Sequence, residues 1–185
     1  MAESEEIKKK VLMVLAPSNY RPAELYEPKN ILEAYGASVV VASKKSGAIA
    51  GMPVDNLEWQ SATADLRISD VNLSDYDAII FIGGSGVRDV WDDSEYINLA
   101  KAAADTGMLI CAICIAPMIL ANANLLTGKE ATIHNSEVQT FLARNVAYVD
   151  VGVVETGNII TAAGPHVASE FGERIAEKLG IARGN

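Results

Sequence analysis

The chain has 185 residues, half of them apolar, and a formal net charge of -9. That length and apolar share suit one compact domain over residues 1–185, with a polar stretch over 1–9 expected to be flexible. The acidic balance supplies no basic stripe to neutralise phosphates, so neither nucleic acid nor an anionic membrane is an expected partner. No apolar run is long enough to cross a bilayer, and the N-terminus has no apolar core of an export signal. Two cysteines three positions apart make no disulfide framework, so free thiols and a cytoplasmic location are expected.

Taken in chain order, Val11 to Ala16 is a continuous apolar run closed by Pro17-Ser18-Asn19, as in a strand buried on both faces. A helix is predicted from Pro22 to Tyr35, with Gly36 at its C-terminal cap, and a second strand from Ser38 to Ala42. Lys44 to Gln60 reads as irregular structure or a small excursion, and Asp65 to Asp75 as polar connection. The third strand, Ala78 to Ile82, ends in Gly83-Gly84-Ser85-Gly86. A helix over Ser94–Thr106 and a strand over Leu109–Ile113 follow. Beyond these come a helix over Ala116–Asn124, a strand end over Ala131–His134 and a helix over Glu137–Ala143. Val151–Glu155 and Asn158–Ala162 flank a hairpin turn at Thr156-Gly157, and the last helix starts at Pro165 and runs to Leu179. Alternating strands and helices predict an α/β fold with a mostly parallel sheet and helices on both faces. In such a fold the loops after Ala16, Ile82, Ile113 and Ile133 meet beyond the carboxyl ends of the strands.

Cys114 stands at the junction of the Leu109–Ile113 strand and the helix after it. A sharp turn there lifts the side chain out of the sheet, and unpaired N–H groups of a helix start favour a thiolate. An ordinary thiol is only about 3% ionised at pH 7, so a lowered pKa raises the reactive fraction. Cys114 is thus the candidate nucleophile, although a small buried hydrophobe is the common fate of a free cysteine. Its proton partner must come from another loop at the same edge, and Glu24 and His134 qualify. Glu24 also fits a first-turn acid on the helix dipole, as does Glu27. His134 also fits a cap or surface position, and His166, after Gly164-Pro165, has a weaker claim with N-terminal capping as its alternative.

The Gly83–Gly86 turn can present backbone N–H groups to an oxyanion or to a phosphate. The dinucleotide fingerprint is incomplete, because Asp89 holds the place of the third glycine and the turn follows the third strand. An oxyanion role for Gly84 and Ser85 is therefore preferred over a phosphate cradle. A tight structural turn is the alternative. Cys111 and Cys114 share a Cys-x-x-Cys spacing, but three residues along a strand place Cα atoms roughly 10 Å apart on opposite faces. No second cysteine pair exists to complete a structural zinc site, so no metal is expected and Cys111 is assigned to the core.

The order of these motifs resembles the DJ-1/PfpI superfamily over nearly the whole chain. Glu24-Leu25-Tyr26-Glu27-Pro28 resembles the segment bearing its active-site glutamate, Phe81-Ile82-Gly83-Gly84 its diglycine turn, and Ala112-Ile113-Cys114 its nucleophile elbow. Gly164-Pro165 before the last helix is similar too. The resemblance implies a flavodoxin-like three-layer sandwich and a dimer or larger homo-oligomer, with no cofactor. It implies Cys114 as nucleophile, Glu24 as a protonated carboxyl bonded to it, and N–H groups of Gly84 and Ile115 as the oxyanion site. His134 corresponds in placement to the active-site histidine of DJ-1-like members. It further implies an enzyme acting on small reactive carbonyls or early glycation adducts, of glyoxalase III or deglycase type. A PfpI-type cysteine peptidase or other hydrolase is one alternative, weakened because Ile115 stands where peptidase-like members have histidine. A stress chaperone or redox sensor with an oxidisable Cys114 is the other. The amidotransferase branch is set aside, since Val167 and Ala168 follow His166 in place of its His-x-Glu.

Overall fold

A computed structural model describes residues 8–54 and 61–182. Most of the expectation for 1–9 thus lies outside the described residues, but Lys9 is held, its Nζ donating to Asp77 at 3.1 Å. The central sheet has seven strands. In chain order they are β1 (Lys10–Leu15), β2 (Ser38–Ser43), β5 (Leu66–Arg67), β6 (Ala78–Phe81), β7 (Leu109–Ile113), β10 (Val153–Thr156) and β11 (Ile159–Ala162). Their spatial order is β10-β11-β7-β6-β1-β2-β5, parallel throughout except for β10 at one edge. The fold is flavodoxin-like, as expected.

β1, β6 and β7 are continuous apolar runs because both faces of the sheet are covered. Helix α1 (Pro22–Ala34) packs against α5 (Ala168–Leu179), and α2 (Ser94–Thr106) against α3 (Pro117–Asn122). Gly172 on α5 sits so close to Pro28 that a Cβ would lie 2.8 Å from its Cα. Each fully buried Leu or Ile contributes about 1.5–3 kcal/mol. An exposed pair such as Arg67–Asp70 contributes about 1 kcal/mol at most, so the apolar layers hold the sandwich together.

α2 and β7 span the expected residues. Asp93 caps α2 by accepting the Glu95 N–H at 2.9 Å, and Gly107 ends it at φ +74°. The hairpin forms one residue later than expected: Thr156 pairs with Ile159, so the turn residues are Gly157 and Asn158 in place of Thr156-Gly157. Elsewhere the expectations need correction. The segment read as irregular contains β3 (Gly47–Ala50), paired antiparallel with β4 (Ser61–Ala64), and 55–60 lie outside the described residues. The polar connection after Ala64 supplies edge strand β5 and two short 3-10 turns. The strand near His134 is only β8 (Glu130–Ala131), paired with β9 (Ala147–Tyr148) outside the main sheet. Between them α4 is confined to Val138–Leu142. The last helix begins as a 3-10 turn at Pro165–Val167.

The site follows from topology. The chain leaves β1 for β2 on one side, then returns to β6 on the other, so the loops after β1 and β6 diverge and open a crevice between them.

Candidate active site

Cys114 follows directly on β7 and has φ +63°, a left-handed backbone that costs a residue with a Cβ about 1–2 kcal/mol. Neighbouring main chain holds it there. Its N–H donates to the Ala162 carbonyl at 2.9 Å, and its carbonyl accepts the His134 N–H at 2.9 Å. The turn leaves the side chain 9% exposed at the pocket floor. The main-chain N–H groups of Gly84 and Ile115 border its sulfur and favour its charged form.

Glu24 lies in the first turn of α1 and is fully buried, unlike Glu27, which accepts the Ser169 hydroxyl at the surface. Its carboxyl faces the Cys114 thiol, near enough to raise the thiol's pKa. Gly83 makes this meeting possible. A Cβ there would stand 2.2 Å from Glu24 Oε2, 2.6 Å from Cys114 Cβ and 2.8 Å from the Ile113 carbonyl oxygen. Gly84, at φ +112°, is crowded in the same way by the main chain of Asn19, Tyr20 and Arg21. The glycine-rich turn is therefore packed against the β1–α1 loop, and Arg21 N–H donates to the Gly83 carbonyl at 2.9 Å. This close packing is the structural reason for the glycines and leaves no cradle for a phosphate there.

Burial, then the Glu24 carboxylate, push the Cys114 thiol well above its ordinary pKa, against the pull of the two N–H groups. This is opposite to the lowering expected from a helix start. α3 is only six residues long, and desolvation outweighs it. Two negative charges on Glu24 and Cys114 repel, so the pair carries one charge at most easily, and its titration is shared. Cys111 is fully buried and free, as expected of a core residue.

Above the sulfur is a pocket of about 120 Å³ whose walls include Arg21, Met52, Ser85, Arg88, His134 and Ser136. His134 Nδ1 lies 2.9 Å from Ser136 Oγ and 3.3 Å from Ser136 N. Burial and the nearby Arg88 and Arg21 cations, with His166 acting in the same direction, lower its pKa against the opposing Glu137, so the ring is neutral at pH 7. The Ser85 N–H, an expected oxyanion donor, instead donates to Met52 Sδ at 3.3 Å. His166 lines an adjoining pocket of about 370 Å³, together with Tyr148 and Asp150, and meets the Cys114 site only through the shared His134. Thus Cys114, Glu24, Gly84, Ile115 and His134 converge, while Ser85 is present with its N–H engaged and His166 is set to one side.

Arg21, Met52, Arg88 and Ser136 escaped the sequence reading. Arg21 stands just before the Pro22 that opens α1, and Arg88 four residues beyond Gly84, so both flanked recognised motifs. Among the described residues, no group of three His, Cys, Asp or Glu side chains is placed to hold a metal ion. None of the helices among them is long and apolar enough to cross a membrane.

The family model for the DJ-1/PfpI family matches residues 9–178. The chain belongs to the DJ-1/PfpI family. It is 36% identical over 173 residues to an uncharacterised protein of Methanocaldococcus jannaschii, covering 92% of this chain and 82% of that one. It is 32% identical to protein dj-1beta of Drosophila melanogaster, covering 92% and 89%. The crystal structure of a ThiJ/PfpI domain protein from Brachyspira murdochii superposes with a TM-score of 0.88 at 28% identity, covering 95% of this chain and 99% of that one. Names among further DJ-1/PfpI relatives include a Pyrococcus abyssi deglycase, a glutathione-independent glyoxalase of Caenorhabditis elegans and a candidate cysteine protease of Bacillus subtilis.

Proposed function

We propose that this protein is a cofactor-independent enzyme that adds Cys114 to small reactive carbonyls, of glyoxalase III or deglycase type. The supporting observation is the convergence of Glu24 and the Gly84 and Ile115 N–H groups on one sulfur beneath a pocket walled by His134. For the reacting state we assign the single charge of the Cys114–Glu24 pair to the sulfur, with Glu24 as the carboxylic acid, although in the resting site burial and Glu24 hold the thiol's pKa up. Glu24 is the more deeply buried of the two, and the two main-chain donors serve the sulfur.

With a 2-oxoaldehyde such as methylglyoxal, Sγ adds to the aldehyde carbon. A C–S bond forms, and the carbonyl π pair moves to oxygen. The Gly84 and Ile115 N–H groups turn to that oxyanion, which takes the Glu24 proton. Neutral His134 then removes the hydrogen on the former aldehyde carbon as a proton and returns it to the neighbouring carbon. The first carbon rises to a thioester as the second falls from ketone to alcohol, the hydroxyl proton of the first carbon passing by way of Glu24 to the oxygen of the second. Water cleaves the thioester to a 2-hydroxy acid and restores the thiol, with no external oxidant or reductant. A glycation adduct that presents the same carbonyl carbon is open to the same addition.

The name of the Pyrococcus abyssi deglycase and that of the Caenorhabditis elegans glyoxalase support this class. Against a peptidase stands Ile115, an apolar side chain beside the nucleophile where a proton carrier would serve acyl transfer. The same buried carboxyl beside the sulfur would also stabilise a sulfinate, which favours oxidative sensing as the second reading. We further propose cytoplasmic action and a homo-oligomer, testable by light scattering of the purified protein.

The test is lactate formation from methylglyoxal without glutathione by the wild type and Cys114→Ser. Cysteine-dependent lactate is expected. A fast-alkylating Cys114 that yields neither lactate nor free amine from a glycated substrate overturns the enzyme reading in favour of sensing.

A further inference from the structure

We infer that Ser136 and Glu137 are positioning residues for His134: the buried Glu137 carboxylate, acting through the Ser136 hydroxyl, draws the ring proton to Nδ1 and leaves Nε2 bare to act as the base. The inference rests on the proposal that His134 moves the substrate proton, and it supplies what that step needs from the loop around the ring.

A neutral imidazole carries one proton, and only the nitrogen without it can accept another. In water that proton favours Nε2, so the base form needs a partner that holds it on Nδ1. His134 Nδ1 is the nitrogen engaged by its own loop, 2.9 Å from Ser136 Oγ, which leaves Nε2 to act on a substrate. Ser136 Oγ is in turn placed to donate to Glu137 Oε1 at 3.2 Å. With the hydroxyl proton given to the carboxylate, both oxygen lone pairs are free to accept, one from His134 Nδ1–H and one from Arg88 Nη2 at 3.4 Å. Glu137 is buried and gripped by Arg88 through Nε at 3.0 Å and also through Nη2, so the far end of the relay is fixed. Its backbone N–H donates to the His134 carbonyl at 3.0 Å, closing ring and carboxylate into one short turn. The Ser136 N–H pulls the other way. It approaches the same Nδ1 at 3.3 Å and can donate only while that nitrogen is bare. Each tautomer thus keeps one contact with Ser136, and the contact that ends on a carboxylate is the shorter and the stronger.

The test reads the tautomer directly and needs no turnover. The nitrogen–proton correlation pattern of a neutral imidazole distinguishes Nδ1–H from Nε2–H, the chain has two histidines, and the signals lost in His134→Ala assign the ring. Above the pKa of the ring, the ratio of Nδ1–H to Nε2–H at His134 is expected to exceed that of free histidine on the order of three- to tenfold, the worth of one hydrogen bond. Ser136→Ala should return the ratio to the free value or below it. Glu137→Met combined with Arg88→Met, an apolar replacement of the whole buried pair, should do the same without stranding a charge. Ser136→Thr keeps the hydroxyl and should hold the ratio up. Thermal melts verify that the variants fold, and lactate formation by Ser136→Ala should lose more in kcat than in KM. A wild-type ratio no higher than that of free histidine, a raised ratio that either the Ser136→Ala or the paired variant leaves in place, or a lactate-forming enzyme whose kcat ignores the fallen ratio overturns the inference. A raised ratio that falls in both variants of a protein forming no 2-hydroxy acid would instead retain the relay and sink the carbonyl chemistry.

Discussion

The carbonyl of Cys114 accepts the backbone N–H of His134 at 2.9 Å, so main chain, and not the imidazole, sets the separation of the two residues. The ring can therefore be removed without moving Cys114. His134→Ala should fold and alkylate normally at Cys114, while kcat for lactate formation falls on the order of 10²- to 10⁴-fold. The lost ring acceptor for Ser136 N–H, at 3.3 Å, should lower stability by about 0.5–1 kcal/mol. Steady-state kinetics and a thermal melt check both.

Because burial and neighbouring cations lower the His134 pKa, the ring is a neutral imidazole at pH 7 and suited to the base role proposed for it. kcat should hold as pH falls to 6.5 and decline only below it, through the pKa of the folded state. In the same window the unfolded chain binds the proton more readily than the fold, so this group's contribution to stability also falls with acidification. A kcat profile that breaks above pH 6.5 would assign the base to another group.

Glu24→Gln distinguishes where the single charge of the buried pair resides. With the charge on sulfur, the variant loses a strong O–H donor to the thiolate, and iodoacetamide alkylation at pH 7 should slow on the order of tenfold. Faster alkylation would mean that a Glu24 carboxylate had been suppressing the thiolate by repulsion.

Gly83→Ala should cost about 3 kcal/mol, because the added methyl meets Glu24 Oε2, Cys114 Cβ and a main-chain oxygen, all well inside contact distance. In a domain of this size that lowers Tm by roughly 10 °C. Alkylation of Cys114 and lactate formation should both collapse, since relief requires the carboxyl and the thiol to part.

The φ of +63° at Cys114 predicts an order among substitutions that all lack the thiol. Cys114→Gly should melt above Cys114→Ala by the equivalent of about 1 kcal/mol, because glycine adopts the left-handed region without a Cβ clash. Two equal melting temperatures would show that the turn carries no strain.

The α2 boundaries were legible because Asp93 and Gly107 announce them chemically, and the core strands because both faces are apolar. Glu24 and Glu27 were indistinguishable as letters. Only the rotation of α1 buries the first and leaves the second with Ser169. The β3–β4 hairpin was missed because Gly-Ala-Ile-Ala and Ser-Ala-Thr-Ala carry too little apolar contrast to mark alternating faces. Arg21, Met52 and Arg88 became visible only in three dimensions, since their roles depend on loops far apart in the chain. The direction of the Cys114 pKa failed for a related reason: a local pattern shows the turn but not the depth at which it is buried.

The tight seating of Gly84 and Gly86 against main chain bears on how this protein can change over generations. Where neighbours are backbone, there is no side chain to exchange, and almost any mutation at the floor should disturb the proposed reaction. Met52 lies at the rim, outside the apolar layers, and can be traded at little risk to folding, whereas Arg88 can change only together with the buried Glu137 it pairs with. Such a molecule is free to acquire new substrates while being unable to abandon its chemistry.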